Sequence, residues 1–320
     1  MPLRTLYNMA QNKPLVQKLL ASSYTAATKA GKIIRDIMSA GELGIVEKGI
    51  NDLQTEADRS AQCCIISNLT REFPKVTIIG EEGQSQCDLP SDWVVPDGDA
   101  EILGKQCPEE YLNVKDEDIV VWVDPLDGTS EYTQGLLDHV TVLIGLSVKG
   151  RAVGGIIHQP YYNYKSVKNT EGRTMWGLVG MGVGGFTPLD APKDKLIITT
   201  TRSHNSPVVV QTLEALKPDE VVRVGGAGHK VLLVLEGQAH AYLYPSSGCK
   251  KWDTCAPEGI LEAAGGKLVD VHGDHYDYHK EVEHPNTRGI LATNRTVDNA
   301  ALLKKIPESV VSKFPKKQKV

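Results

Sequence analysis

Apolar residues recur at helical spacing from Leu15 to Ala40, with Leu15, Leu19, Tyr24, Ala27, Ala30, Ile34 and Ile37 along one stripe. That period predicts a long helix, which Gly41 and Gly44 would end. The segment GIVEK then reads as a short strand, and a second helix is expected from about Leu53 to Arg71, stopping before Pro74. KVTIIGEEG reads as a strand broken at Gly80. Residues 84 to 117 are polar and rich in Pro, Gly and Asp, so they read as a long insertion with room for one helix. Five apolar residues, Ile119 to Val123, follow without a break and end at Asp124. Such a run reads as a buried strand. VTVLIGLSV and AVGGIIHQP, joined by Lys149-Gly150, look like a hairpin, and TMWGLV adds a further strand.

The pattern changes after TPLDAPKDK, Thr187 to Lys195, which carries two prolines and a run of charges. This segment is the expected domain boundary, dividing the chain into 1–190 and 191–320. Beyond it strands and helices alternate: LIITT, a helix from about Pro207 to Leu216, VVRV, a helix from about His229 to Glu236, AHAYLY, a helix after Asp253, GKLVD, GILAT and a last helix. Antiparallel strands followed by alternation imply a layered α/β or α+β protein. There is no internal repeat. Six lysines lie between Lys304 and Val320, and this tail reads as a solvated, frayed end.

Composition narrows the classes. The chain has 320 residues, 41% hydrophobic and 23% charged, as in an ordinary globular protein. A net charge of −5 argues against a nucleic-acid polymer as partner. No apolar run approaches membrane-spanning length, and the first residues lack the apolar core of a secretory signal, so no membrane partner is expected. The six cysteines, Cys63, Cys64, Cys87, Cys107, Cys249 and Cys255, form no Cys-x-x-Cys. They read as free thiols of a cytoplasmic protein, with no zinc site.

The acids are not scattered. Asp58 lies on the second helix, Glu81 and Glu82 follow a strand, Asp124 and Asp127 follow another, and Asp253 stands at a helix start. Carboxylates brought together repel, so a cluster needs cations, and oxygen ligands without His or Cys favour Mg²⁺. Pro125 sets a kink that can turn both aspartates, and the Leu126 carbonyl, to one side; Gly128 permits close backbone approach, and Thr129 adds a hydroxyl. An Asx turn with Thr129 as a cap explains the stretch equally well on its own. Glu81, Glu82 and Trp252-Asp253 in the same chain shift the balance towards metal. Trp252 itself is expected to pack beneath Asp253.

Other motifs lead nowhere. Gly180, Gly182 and Gly185 fit G-x-G-x-x-G, but Phe186, Thr187 and Pro188 follow where a helix should start. AGGKL lacks P-loop spacing, and PDGDAEILGKQC lacks the EF-hand glycine and glutamate. His272, His275 and His279 read as an exposed turn.

With these residues in view the chain resembles the lithium-sensitive, magnesium-dependent phosphomonoesterases related to inositol monophosphatase. The shared elements are Asp58, Glu81-Glu82, Asp124-Pro125-Leu126-Asp127-Gly128-Thr129, Trp252-Asp253 and Gly265-Gly266, in that order. Within the family the resemblance is greatest to members acting on nucleotides, through DLQTEADR, TIIGEEG, VVWVDPLDGT, HQPYYNY, IITTTRSH, RVGGAGHK and GCKKWDTCAPE. His158 stands where Asn is expected, and the insertion after Glu82 departs from the pattern.

The resemblance implies a layered sandwich of the inositol monophosphatase/fructose-bisphosphatase type, with two sheets and helix layers. It implies two or three Mg²⁺ ions held by Glu81, Asp124, the Leu126 carbonyl, Asp127 and Asp253, and a water activated by Asp58 and Thr129. Glu82 is expected to support the site without ligating. The nucleotide is expected against Thr201, His204, Gly226 and Lys230, beside a helix start with Ser206 as N-cap. Without the family, Asp58 would read as a surface acid, Gly225, Gly226 and Gly228 as a tight turn, and His204 as a loop histidine. The implied reaction is removal of the 3′-phosphate from adenosine 3′,5′-bisphosphate and from its 5′-phosphosulfate relative, with inhibition by Li⁺. The alternatives are a phosphatase for inositol 1,4-bisphosphate and a non-catalytic metal or nucleotide sensor; intact Asp58 and Thr129 speak against the sensor. The implied partner is a small molecule, and oligomeric state, monomer included, is left open.

Overall fold

The computed structural model describes residues 13–49, 52–83, 87–167, 170–203 and 206–317. Helix α1 (Leu15–Ala40) is followed by the hairpin β1 (Val46–Gly49) and β2 (Asp52–Gln54), then α2 (Glu56–Glu72), β3 (Thr77–Gly80) and the short α3 (Ala100–Gly104). Next come β4 (Ile119–Asp127), α4 (Thr129–Thr133), β5 (Thr141–Val148), β6 (Arg151–Gln159), β7 (Arg173–Leu178) and β8 (Gly182–Gly184). The remaining elements are β9 (Ile197–Thr201), α5 (Pro207–Leu216), β10 (Glu220–Val224), α6 (Ala227–Leu235), β11 (Ala241–Tyr244), α7 (Lys251–Ala263), β12 (Lys267–Val269), β13 (Ile290–Thr293), α8 (Asn299–Leu303) and α9 (Glu308–Val311).

Strands β3 to β8 form one six-stranded sheet in chain order, and β10-β9-β11-β13-β12 form a five-stranded sheet. The first is antiparallel apart from the parallel β3–β4 pair; the second mixes both senses. The two-sheet, helix-layered architecture agrees with the sequence reading. Strand β4 shows why its sequence runs apolar without alternation. Ile119, Val121 and Val123 point into a core shared with α1 and α2, while Val120 and Trp122 join a second core with α7 and the five-stranded sheet.

Helix α7 crosses the six-stranded sheet on a row of glycines. Gly145, Gly155 and Gly177 are register partners on β5, β6 and β7. A Cβ on Gly155 would lie 2.8 Å from Ala256 Cα, and one on Gly145 2.5 Å from Ala256 N. Only backbone without side chains lets the helix settle there, and this depth sets where its first turn, with Asp253, ends up. Trp252 is buried against Trp122, with ring centroids 6.5 Å apart.

Several expectations need correction. The second helix starts at Glu56, because residues 52–54 pair with β1 and Thr55 then caps the helix. The strand through Ile119 continues past Asp124 to Asp127. Pro125 has no N–H for the ladder, so the pairing bulges between Asp124 and Asp127 instead of stopping. The cysteines are not all free: the chain after Gly83 returns to α2 and Cys63 is bonded to Cys87, with Cα atoms 6.0 Å apart, leaving Cys64, Cys107, Cys249 and Cys255 as buried thiols. The lysine-rich tail is not frayed through Lys317. Ile306 and Val310 are buried, and Lys317 donates to the His275 carbonyl. His275 is no bare turn residue either, since its Nδ1 lies 2.9 Å from Glu258 and 3.2 Å from Glu262.

Candidate active site

Strand register brings the first acids together. Gly80 of β3 is the parallel partner of Val123 on β4, so Glu81 and Asp124 leave adjacent strands side by side, and the Glu81 N–H donates to the Val123 carbonyl at 3.0 Å. On the other flank Asp124 faces Leu143 and Asp127 faces Thr141, three steps on β4 against two on β5. The bulge at Pro125-Leu126 therefore turns two carboxylates, otherwise on opposite faces, towards one place. Asp253 arrives from α7, where it is the third residue and caps the helix by accepting the Lys250 N–H at 2.6 Å. One carboxylate oxygen each from Asp124, Asp127 and Asp253 lies within 4.8 Å of the other two.

Glu81 borders this trio. Lys48 and Lys250 approach its carboxylate at 3.9 and 3.8 Å. Glu82 turns away: its carboxylate takes Lys48 at 2.8 Å and Gln54, and its N–H donates to Gln62. Asp58 is the third residue of α2, fully buried, where its Oδ2 accepts the N–H and hydroxyl of Thr55. Its Oδ1 accepts the Thr129 hydroxyl at 2.9 Å, and that hydroxyl also lies 3.1 Å from the Leu126 carbonyl. Thr129 can take this place because Gly128, at φ 92°, turns β4 directly into α4.

Asp127 is held from the far side by the start of α6. The Ala227 N–H donates to Oδ1 and the Gly228 N–H to Oδ2, both at 2.8 Å, and the Thr141 hydroxyl donates to Oδ2 at 2.7 Å. Gly226, with φ 68°, brings that helix start close: a Cβ there would lie 2.5 Å from the His139 carbonyl. Thr201 ends β9 beside Val224 of the parallel β10, two residues before Gly226. Lys230 is buried, with its Nζ 2.6 Å from the Gly226 carbonyl and 5.2 Å from the centre of the Tyr242 ring. His204 lies outside the described residues.

Electrostatics follow from this crowding. Burial, then the charges of Glu81, Asp127 and Asp253, drives the Asp124 carboxyl well above its usual range. Burial and Asp253 push Glu81 up to about 8, and burial and Asp127 push Asp253 up to about 6. Burial likewise raises Asp58 to about 6. Two like charges at such separations repel by roughly 3 kcal/mol at an effective dielectric constant near 20. Ionising the whole group needs positive charge: Lys48 and Lys250 stand beside Glu81, Lys250 also favours ionised Asp253, and buried Lys230 favours ionised Asp127, yet burial and mutual repulsion still hold the carboxyls raised. The cluster's donors are all carboxylate oxygens, so the residues fit hard divalent cations. Asp124, Asp127 and Asp253 bring oxygens close enough to share a cation, with Glu81 beside them.

Sequence reasoning missed Thr141, Lys48 and Lys250. Thr141 meets Asp127 only through the bulged register of β4 and β5, and the two lysines come from distant elements, Lys48 from β1 and Lys250 from the N-cap of α7. It also missed the ion pair of Arg202 with buried Glu131 at 3.0 Å.

A bulged strand end that gathers carboxylates able to hold a divalent cation, beside a hydroxyl–carboxylate pair, is an arrangement suited to hydrolytic chemistry. The chain belongs to the inositol monophosphatase family, whose sequence profile matches residues 15–310. It is 53% identical over 309 residues to the human 3′(2′),5′-bisphosphate nucleotidase 1, covering 94% of this chain and 98% of that one. The 3′(2′),5′-bisphosphate nucleotidase 1 of Dictyostelium discoideum is 40% identical over 292 residues, covering 87% and 93%. Among solved structures, the inositol monophosphatase of Thermotoga maritima shares the fold, with a TM-score of 0.65 over 91% of this chain and 97% of that one at 18% identity.

Proposed function

We propose that the protein is a Mg²⁺-dependent 3′(2′),5′-bisphosphate nucleotidase that hydrolyses adenosine 3′,5′-bisphosphate to AMP and phosphate. The same reaction on 3′-phosphoadenosine 5′-phosphosulfate would yield adenosine 5′-phosphosulfate. Identity of 53% across nearly the whole length of a relative so named supports the substrate class. The observation that carries the chemistry is the Thr129–Asp58 hydrogen bond of 2.9 Å at the edge of the carboxylate cluster.

Bound Mg²⁺ would lower the pKa of a coordinated water and neutralise charge on the departing ribose 3′-oxygen. The chain's own residues do the rest. Thr129 donates its proton to Asp58, so its oxygen is left as an acceptor that can orient a water. Asp58, with its carboxyl raised to about 6, is ionised near neutral pH yet basic enough to take up a proton. Asp127, pinned by two backbone N–H groups and a hydroxyl, offers a fixed oxygen. Thr201, Gly226 and Lys230, with His204, are proposed to hold the nucleotide. Lys230 would do so as a buried charge tethered to the Gly226 carbonyl.

Inhibition by Li⁺ and a cytoplasmic setting belong to the same proposal. Cys64, Cys107, Cys249 and Cys255 are free thiols, whereas the Cys63–Cys87 bond weighs towards an oxidising setting. We further propose that residues 1–190 and 191–320 act as two domains sharing one site, with α7 of the second lying on the sheet of the first. The test is phosphate release from adenosine 3′,5′-bisphosphate and from inositol 1,4-bisphosphate, with Mg²⁺ and with chelator. Turnover of the nucleotide that chelator abolishes is expected; faster release from the inositol phosphate would overturn the assignment.

A further inference from the structure

We propose that Thr141 limits Asp127 to one metal-binding lone pair and thereby makes the site favour Mg²⁺ over the larger Ca²⁺. The inference rests on reading the carboxylate cluster as a divalent-cation site. A carboxylate has about four lone-pair positions. Around Asp127 three are filled: one on Oδ1 by the Ala227 N–H, and two on Oδ2 by the Gly228 N–H and the Thr141 hydroxyl. Oδ2 is saturated, and one position on Oδ1 remains. A bidentate grip on a cation needs both oxygens, so Asp127 can ligate only through one.

That restriction bears on ion choice. Mg²⁺ demands six ligands in a tight octahedron, whereas Ca²⁺ takes six to eight and commonly recruits a carboxylate through both oxygens. The two backbone donors come with the start of α6 and belong to the fold. Among the described residues Thr141 supplies the side-chain hydrogen bond to Asp127, and it is fully buried. It is also wedged tightly, since a Cβ on Gly228 would lie 2.4 Å from its hydroxyl oxygen. Thr141 is therefore a positioning residue: it acts on the cation through Asp127.

The test is calorimetric titration of chelator-stripped protein with Mg²⁺ and with Ca²⁺, for the natural chain, Thr141→Val and Thr141→Ser. Valine keeps the shape and removes the donor; serine keeps the donor. The expected result is that the ratio of Ca²⁺ to Mg²⁺ affinity rises about tenfold in Thr141→Val and stays near the natural value in Thr141→Ser, in line with the size of effects from groups that orient metal ligands. An unchanged ratio in Thr141→Val, or equal loss of both affinities, would overturn the proposal. If Thr141→Val melts before titration, Thr141→Ala is read by the same criteria. Failure of the underlying reading looks different: the natural chain would then bind neither ion, or Asp124→Asn would bind Mg²⁺ as well as the natural chain does.

Discussion

The Thr129 hydroxyl lies 2.9 Å from Asp58 Oδ1, joining the head of α4 to a side chain 71 positions earlier in the first turn of α2. Neither residue is held by this bond alone. Thr55 fixes Asp58 through two hydrogen bonds, and the Gly128 turn fixes Thr129. Replacing Thr129 by Ala should therefore leave the fold in place while removing the group that orients water. The expected loss in kcat is about 10²- to 10⁴-fold, with KM little changed, in steady-state phosphate-release assays. A fall confined to KM would assign Thr129 to substrate binding instead.

The buried acids make the metal-free protein sensitive to pH. Asp58 and Asp253 are raised to about 6 and Glu81 to about 8, so each binds its proton more tightly folded than unfolded. Their stabilising contribution is complete below the ordinary carboxylate pKa near 4 and is lost as pH rises through about 6 and then about 8. In chelator, the melting temperature should fall from mildly acidic to mildly alkaline pH. Added Mg²⁺ should raise it, and by more at the alkaline end, where the ligands are ionised. A melting temperature that climbs with pH in chelator would contradict this.

The glycine row beneath α7 ties stability to the site. A methyl on Gly155 would meet the Ala256 backbone at 2.8 Å, so Gly155→Ala must push α7 outward. Destabilisation of about 1–3 kcal/mol is expected by chemical denaturation. Because Asp253 rides on the same helix, Mg²⁺ affinity should fall with it. A variant as stable as the natural chain would show that the helix does not sit at this depth.

The Cys63–Cys87 bond closes a segment of sequence separation 24 that contains Glu81 and Glu82. Constraint of the unfolded chain by a loop of this length is worth about 3 kcal/mol. Reductant should lower the melting temperature of the natural chain and leave Cys87→Ser unchanged. Thiol counting on denatured, unreduced protein should find four, from Cys64, Cys107, Cys249 and Cys255; six would remove the bond from the account.

Much of this was legible in the sequence, and the limits are physical. The period of Leu15–Ala40 and the unbroken apolar run of β4 gave their elements because those residues face cores. The acids Glu81, Asp124, Asp127 and Asp253 drew attention because they stand at element ends. What the linear order hides is register. Nothing local shows that Pro125 bulges a continuing strand, that Thr141 meets Asp127 across it, or that Cys87 returns to α2. These follow from pairing over long separations, as does the placing of His275 on Glu258 and Glu262 in place of an exposed turn.

The most direct test of the account is an anomalous-difference map from crystals soaked in Mn²⁺, which takes the same oxygen ligands as Mg²⁺. Density enclosed by Asp124, Asp127 and Asp253, with Glu81 at its border, is the expected result. A site bare of ions there, with density only beside Glu258, Glu262 and His275, would contradict it.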